Sequence, residues 1–201
     1  MEKPAIALTF DDGPNTSITV QILDLLDAYR IPATFFVIGQ NIQKKTAPVL
    51  KRAYDMGCEI GSHSFSHRNM SRLSTERIRE EMERTDERIQ SVTGEPSRYF
   101  RAPYLFTSPL MFQEIDKTFI AGIHTDTWGS ASERYHSIIR KVSDGRIILL
   151  HDKLGNYPTV QALQMLIPDL LSQGYSLLTL SELFRQKGTI PQRGRVYSRV
   201  P

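Results

Sequence analysis

Short apolar runs alternate with amphipathic stretches along the chain. Residues 5–10 form an apolar run that is typical of a buried strand, and it ends at the turn residues Asp11-Asp12-Gly13-Pro14. Further runs at 33–38, 58–61, 119–123, 147–150 and 177–180 predict strands, while apolar residues recur at helical spacing around 18–29, 49–54, 74–94, 132–142 and 159–172. Six or seven such alternations predict one domain with a mostly parallel sheet, whose chemistry gathers at the carboxyl ends of the strands.

Two of the predicted helices carry local signals. One begins at Ser74 as N-cap, with Leu73 and Ile78 placed as a hydrophobic staple, and ends near Gly94. Its outer face is densely charged, which is typical of a solvated helix surface. The helix at 159–172 contains Pro168, which predicts a kink or a break.

Composition narrows the class of protein. The 201 residues, 40% hydrophobic and 23% charged, fit one soluble globular domain and exclude a disordered, collagen-like or disulfide-dense chain. The net charge of +3 is too small to indicate a nucleic-acid or membrane partner. A single cysteine, Cys58, allows no internal disulfide, and residues 1–4 lack the apolar segment of a signal peptide. We therefore expect either an intracellular protein or one whose leader has been removed.

Polar residues follow several of the predicted strands. His63 and His67 are flanked by glycine and serine, so we expect them on a loop, where two neutral imidazoles can share a metal or simply be hydrogen-bonded. Asp11 and Asp12 allow one carboxylate to bind the metal while the other acts as a base, although alone they also fit an acidic turn. Two histidines and one aspartate make an open site, in which a divalent ion lowers the pKa of water to roughly 7.

Three further residues are candidates on weaker signals. His151 ends a wholly apolar run, which places an imidazole at the rim of a buried site as an acid or base, or as an ordinary core histidine. Arg101 could hold a carboxylate and Tyr104 could offer a backbone N–H, although any turn with proline has similar features.

The joint occurrence of these motifs, in this order, resembles the polysaccharide deacetylases, the NodB-homology domain of carbohydrate esterase family 4. The resemblance spans roughly residues 5–184 and rests on four motifs: Thr9-Phe10-Asp11-Asp12-Gly13-Pro14, His63-Ser64-Phe65-Ser66-His67, Arg101-Ala102-Pro103-Tyr104 and Leu149-Leu150-His151-Asp152. It implies a single-domain α/β fold, a distorted (β/α) barrel with about seven parallel strands. The catalytic domain is then 1–185, and 186–201 is a basic C-terminal tail that lies solvated on the barrel.

The resemblance also implies a role for each residue. Asp12, His63 and His67 would bind one divalent ion, with zinc expected and cobalt or nickel as alternatives. Asp11 would be the base that deprotonates the attacking water, and Arg101 would hold Asp11 ionised. The remaining roles fall on His151 as the acid, the Tyr104 N–H as an oxyanion donor, and Trp128 with Leu149 as the acetyl pocket.

One position departs from the family pattern. The family's fourth motif ends Asp-Trp, whereas this chain has Thr127 before Trp128. The missing acid normally pairs with the catalytic histidine, so we hypothesise that Asp126 takes that role beside His151. The alternatives are compensation by His124, or a decayed motif with reduced activity.

The amino-acid sequence at Tyr99–Tyr104 and at Phe119–Ile123 resembles that of the acetyl xylan esterase branch of the family. We therefore predict a hydrolase that removes O-acetyl groups from xylan, with N-deacetylation of chitin oligomers or peptidoglycan as the alternative and a non-catalytic carbohydrate-binding relative as an alternative of another class. The expected partner is an acetylated polysaccharide or oligosaccharide, with no nucleic acid, membrane or obligate protein partner. If a leader was removed, the resemblance implies an extracellular or cell-envelope location.

Overall fold

A computed structural model describes residues 3–123 and 129–201. The strands are β1 (Ala5–Asp11), β2 (Thr34–Val37), β3 (Glu59–Ser62), β4 (Tyr99–Phe100), β5 (Thr118–Ile120), β6 (Ile147–His151), β7 (Ser176–Leu178) and β8 (Val196–Tyr197). The helices are α1 (Ile18–Tyr29), α2 (Ala47–Asp55), α3 (Thr75–Thr93), α4 (Pro109–Glu114), α5 (Ala131–Ile139), α6 (Tyr157–Ser172) and α7 (Leu180–Gln186). Among the described residues, no helix is both long and apolar enough to cross a membrane.

The sheet is parallel and curls into a distorted barrel. Its strand order is β6-β1-β2-β3-β4-β5-β8, and β7 pairs with the first half of β1. A parallel bridge between Ile123 and Ile148 links the segment after β5 back to β6, which brings the two sides of the curled sheet together. The predicted single-domain (β/α) barrel is confirmed, and its loops after β1, β3, β4 and β6 all open at one end.

Side-chain alternation along β1 sorts its residues between two layers. Ile6, Leu8 and Phe10 belong to the main core, where the sheet packs against α1, α2 and α6. Ala5 and Ala7 belong to a second cluster in the interior, with residues of α7 and β8. Because the strand period is two, Asp11 falls on the same side as these alanines, at the carboxyl end of the strand.

Several element boundaries differ from the sequence prediction. The run at 177–180 is divided between β7 and the start of α7, because Thr179 forms a capping box with Glu182. Helix α6 runs from Tyr157 to Ser172 without interruption at Pro168. Strand β4 and helix α4 were absent from the prediction, since two and six residues are too short for a periodic signal.

The segment predicted as a basic tail takes part in the fold. Its strand β8 pairs in parallel with β5, and Tyr197 and Val200 are buried in the second core cluster. Its arginines stay exposed or half-exposed, as Arg193 does beside Asp116. The division of the chain at residue 185 stays a prediction.

Candidate active site

Two carboxylates leave β1 in different directions. Asp11 is the last residue of the strand and pairs in register with His151 of β6. Asp12 follows with φ of 79°, a left-handed conformation that ends the strand and is rare for a residue with a side chain. The Asp12 Oδ1 lies 3.6 Å from His63 Nε2 and 3.2 Å from His67 Nε2. The turn of the backbone therefore places the Asp12 carboxylate beside the two histidines and leaves the Asp11 carboxylate facing the interior.

Asp12, His63 and His67 form a group that fits a divalent metal ion. Their ligand atoms lie within 4.8 Å of one another, and among the described residues the buried Asp12 Oδ1 has no hydrogen-bond partner. The His63 Nδ1 lies 2.7 Å from the Arg101 carbonyl oxygen, and a proton held there leaves Nε2 as the metal-facing lone pair. Burial lowers the pKa of His63, with Asp11 and Asp12 opposing that shift, so the neutral imidazole needed for ligation is favoured. Two imidazoles and a carboxylate suit zinc and similar transition metals.

The loop that carries both histidines is held by a glutamate of α3. Glu81 accepts hydrogen bonds from the backbone N–H groups of Phe65 and Ser66, both at 2.8 Å, and from the Ser66 hydroxyl at 2.5 Å. Ser64 and His67 have φ of 65° and 57°, so the loop makes two left-handed turns that cost conformational energy. The three hydrogen bonds to Glu81 offset that cost and fix the spacing of the two imidazoles.

Asp11 is paired with a fully buried arginine. Arg101 Nη1 donates to Asp11 Oδ1 at 2.6 Å, and its Nε donates to the Ile120 carbonyl oxygen at 3.2 Å. The guanidinium also lies over the Phe36 ring at 4.2 Å. Burial lowers the pKa of Arg101 and the adjacent Asp11 opposes that shift. The Asp11 carboxylate therefore has a fixed counter-charge and a fixed orientation, with its other oxygen 3.8 Å from His63 Nε2.

His151 lies at the end of β6, and the backbone around it is well supported. Asn156 donates to the His151 carbonyl oxygen at 2.8 Å. The buried Arg134 donates in turn to Asn156 Oδ1 at 2.7 Å and to Thr159 Oγ1 at 2.6 Å. Helix α5 is thereby tied to the loop after β6, which fixes where His151 enters the site.

The remaining predicted residues divide into two groups. Tyr104 lies on the loop after β4 with φ of 59°, its ring 4.8 Å from that of His67, and Leu149 is buried on β6. Both line a cavity of about 700 Å³ together with Asp11, Asp12, His63, His67 and His151. Trp128 and Asp126 lie outside the described residues. Their predicted roles in the acetyl pocket and beside His151 stay predictions.

Comparison with known proteins decides the family. A sequence model described as polysaccharide deacetylase matches residues 1–123. The chain belongs to the polysaccharide deacetylase family. The predicted family is confirmed.

This polysaccharide deacetylase chain has similar relatives of known structure. The Xyl-CE4 domain of a multidomain xylanase from the hindgut metagenome of Trinervitermes trinervoides is 42% identical, with a TM-score of 0.96 and coverage of 99% of this chain and 98% of that one. A family 4 acetyl xylan esterase from Clostridium thermocellum, solved with a cobalt ion, is 41% identical, with a TM-score of 0.94 and coverage of 98% and 99%.

A curated relative is much longer than this chain. The bifunctional xylanase/deacetylase of Pseudobutyrivibrio xylanivorans is 44% identical over 189 residues, which are 92% of this chain. The chain spans 31% of that relative's own length. The similarity therefore concerns only that part of the relative.

Two residues of this polysaccharide deacetylase domain were missed by the sequence analysis. Glu81 was not singled out by the sequence analysis, yet its spacing from Ile78 and Thr85 places it beside the buried stripe of α3. An acid beside an apolar stripe was the available signal. The sequence analysis names Asp152 only as part of a motif and gives it no role. In the structure, burial raises the pKa of Asp152 to about 7, and a hydrogen bond from Thr19 opposes that shift.

Asp152 supports the turn that carries the two carboxylates of the candidate active site. Its backbone N–H donates to the Asp11 carbonyl oxygen at 2.9 Å, and its carboxyl group packs directly on Gly13. A Cβ at residue 13 would lie 2.1 Å from Asp152 Oδ2, so only glycine allows this approach. The turn after β1 and the end of β6 are thus fixed against each other.

Proposed function

We propose that this chain is a metal-dependent deacetylase that removes acetyl groups from a polysaccharide, with O-acetyl groups of xylan as the preferred substrate. One observation carries the proposal: a single cavity contains the group formed by Asp12, His63 and His67. The same cavity is lined by a second carboxylate, Asp11, and by His151. An electrophile, a base and an acid around one carbonyl group accelerate the hydrolysis of an ester. A metal held by the ligand group would supply the electrophile, and the cavity offers Asp11 as the base and His151 as the acid.

Asp12, His63 and His67 are the residues that would hold the metal. A divalent ion bound there would supply Lewis-acid chemistry: it would polarise the acetyl carbonyl and make the attacking water easier to deprotonate. We propose zinc, because it is suited to two imidazoles and one carboxylate and leaves an open position; cobalt and nickel are the alternatives.

The chain's own residues then move the protons. Asp11, oriented by Arg101, accepts the proton of the attacking water. Its carboxylate oxygen Oδ2 lies 3.8 Å from His63 Nε2, so it is close to the metal-ligand group without belonging to it. The Tyr104 backbone N–H donates to the developing oxyanion. His151 gives its proton to the leaving sugar oxygen, which departs as a hydroxyl group.

The acetyl methyl group needs an apolar surface beside this charged centre. Leu149 offers one on β6, and Trp128 completes it in the proposal, by family resemblance. An apolar wall here favours a small acyl group over water and over larger polar groups.

The preference for an ester over an amide rests on two arguments. An amine leaving group needs protonation more urgently than an alkoxide does, and Thr127 stands where the family has the acid that pairs with the catalytic histidine. The relatives named for xylan support the same choice. Because xylan is a polymer that does not enter cells, the proposal places the activity outside the cell or in the envelope.

The test is acetate release, measured on O-acetylated xylan and on an N-acetylglucosamine hexamer. Metal-stripped protein is compared with protein restored with zinc or cobalt, and Asp11→Asn is compared with Asp55→Asn, an exposed aspartate on α2. We expect metal-dependent release from xylan that Asp11→Asn lowers at least 100-fold and Asp55→Asn leaves unchanged.

Other outcomes change the conclusion. Release from the hexamer alone overturns the choice of xylan and supports an N-deacetylase. Failure of metal-loaded protein to release acetate from either substrate, combined with sugar binding, supports a non-catalytic relative.

A further inference from the structure

A buried arginine of helix α5 belongs to a chain of hydrogen bonds that ends at His151. Arg134 is 4% exposed, and its Nη1 donates to Asn156 Oδ1 at 2.7 Å and to Thr159 Oγ1 at 2.6 Å. Asn156 Nδ2 donates in turn to the His151 carbonyl oxygen at 2.8 Å. Because a buried charged group is costly unless its hydrogen bonds are made, these contacts hold Arg134 and its partners in fixed positions.

Arg134 also sets which way round the Asn156 amide lies. A guanidinium can only donate hydrogen bonds, so the amide oxygen of Asn156 has to face Arg134. The amide NH₂ group then faces the other way, where it donates to the His151 carbonyl oxygen and, at 2.9 Å, to Thr159 Oγ1. Without Arg134, the Asn156 amide would lose the contact that fixes this orientation, and the His151 carbonyl oxygen would lose its fixed donor.

The position of His151 depends on how the loop after it is held. His151 is the last residue of β6, and residues 152–156 leave the sheet before α6 begins. Among the described residues, the lining of the cavity includes His151 but neither Asn156 nor Arg134. These two side chains therefore act on the backbone of His151 and do not face a molecule bound in the cavity.

The same guanidinium holds the chain next to Trp128. Arg134 Nε donates to the Gly129 carbonyl oxygen at 2.8 Å, and Gly129 directly follows Trp128 in the sequence. Ser130 and Glu133 form a capping box at the start of α5, which fixes the chain on the other side of Gly129. One buried side chain thus ties the loop after the proposed acid to the chain beside the proposed acetyl surface.

We propose that Arg134 is a positioning residue that acts through Asn156 to keep His151 where it can protonate the departing sugar oxygen. In that step the bond between the acetyl carbon and the sugar oxygen breaks, and its electron pair stays on the oxygen. The oxygen takes the proton from the His151 imidazole, so the sugar leaves as an alcohol. A displacement of about 1 Å at an acid is enough to slow such a proton transfer strongly. This inference rests on the proposed function and identifies a residue outside the cavity on which its chemistry depends.

A leaving group that needs no proton distinguishes this role from a purely structural one. 4-Nitrophenolate leaves without protonation, whereas a sugar oxygen needs a proton from an acid. Acetate release from O-acetylated xylan and from 4-nitrophenyl acetate is measured for Arg134→Met, for Asn156→Asp and for the double substitution. Asn156→Asp keeps an oxygen for Arg134 and a residue favoured as the N-cap of α6, but it has no donor for the His151 carbonyl oxygen. Arg140→Met is the matched control, since Arg140 is exposed at the end of α5.

We expect each substitution to lower kcat on xylan about 30-fold with an unchanged KM, and to lower release from 4-nitrophenyl acetate less than about threefold. The double substitution should cost about as much as the larger single one, because both act through one chain of hydrogen bonds. Arg140→Met should change neither reaction. If Arg134→Met fails to fold, Asn156→Asp carries the test alone.

Equal losses on the two esters would assign Arg134 a structural role and overturn the proposal, as would an unchanged kcat on xylan. Crystal structures of the wild type and the two variants test the positioning apart from turnover. His151 should move by about 1 Å in both variants, and an unmoved His151 would overturn the proposal. If the wild type acts on the N-acetylglucosamine hexamer instead of xylan, the same comparison is made with the hexamer. If it releases acetate from neither, the proposed function fails, whereas a displaced His151 would still support the positioning by Arg134.

Discussion

Substitution of Glu81 should weaken metal binding without touching a metal ligand. Its carboxylate receives hydrogen bonds from three donors of the loop between His63 and His67. Glutamine has one acceptor oxygen and an amide NH₂ in place of the second oxygen. In Glu81→Gln, the N–H groups of Phe65 and Ser66 therefore keep only a neutral acceptor, and the Ser66 hydroxyl has to accept from the NH₂ group instead of donating to a carboxylate.

The size of the effect follows from these contacts. A hydrogen bond to a charged group contributes about 1.5–3 kcal/mol, against about 1 kcal/mol for a neutral pair. Replacing three such bonds by neutral ones costs the ordered loop about 2 kcal/mol in total. If the loop must be ordered for His67 to bind, that energy appears as metal affinity lowered about 30-fold, since 1.4 kcal/mol corresponds to a factor of ten.

The assay is competition for zinc between the apo-protein and a chromophoric chelator. Glu83→Gln is the matched control, because Glu83 lies on the same helix with its side chain exposed. Unchanged zinc affinity in Glu81→Gln would refute the reasoning. If the unfolding free energy of the apo-protein fell by about 2 kcal/mol instead, Glu81 would serve the fold alone.

Three further predictions concern stability. Arg101→Met leaves the buried Asp11 without its counter-charge, and urea unfolding should show a loss of about 3–5 kcal/mol; a loss below about 1 kcal/mol would contradict this. The pKa of Asp152 is about 7 in the folded protein and 3.8 in the unfolded chain, so the folded state binds the proton more tightly. The unfolding free energy of wild type should therefore fall relative to that of Asp152→Asn as pH rises from 4 to 7, and a constant difference would count against this. Zinc at 100 times its dissociation constant should stabilise wild type by about 2.7 kcal/mol, and His67→Ala should lose most of this shift in melting experiments.

The sequence predicts best where a signal is local and strong. The apolar run of β1 and the polar residues at its end are adjacent in the chain, so the position of Asp11 and Asp12 at a strand end follows from pattern alone. The resemblance supplied the assignment of distant residues such as His151 to the same site. Spacing within one motif carries no such long-range information.

Other features depend on tertiary contacts that leave little trace in the sequence. Strand β8 has two residues, and it forms because β5 offers an open edge in the folded sheet. The hydrogen bonds of Glu81 join a helix to a loop 15 residues earlier in the chain. The close contact of Asp152 with Gly13 joins the ends of two strands that pair only in the finished sheet.

The pairing of β1 with β6 has a consequence for the order in which the protein becomes competent. These strands are neighbours in the sheet but lie far apart in the sequence. The Thr9 hydroxyl of β1, for example, donates to the carbonyl oxygen of Ile148 in β6, which is 139 residues further along the chain. Contacts of such long sequence separation form slowly, because closing a large loop costs conformational entropy before the contacts contribute any stabilising energy. A nascent chain that has emerged only as far as β5 already holds Asp11, His63 and Arg101. It still lacks the strand that carries His151, so synthesis must pass β6 before the candidate active site holds all the residues proposed for it.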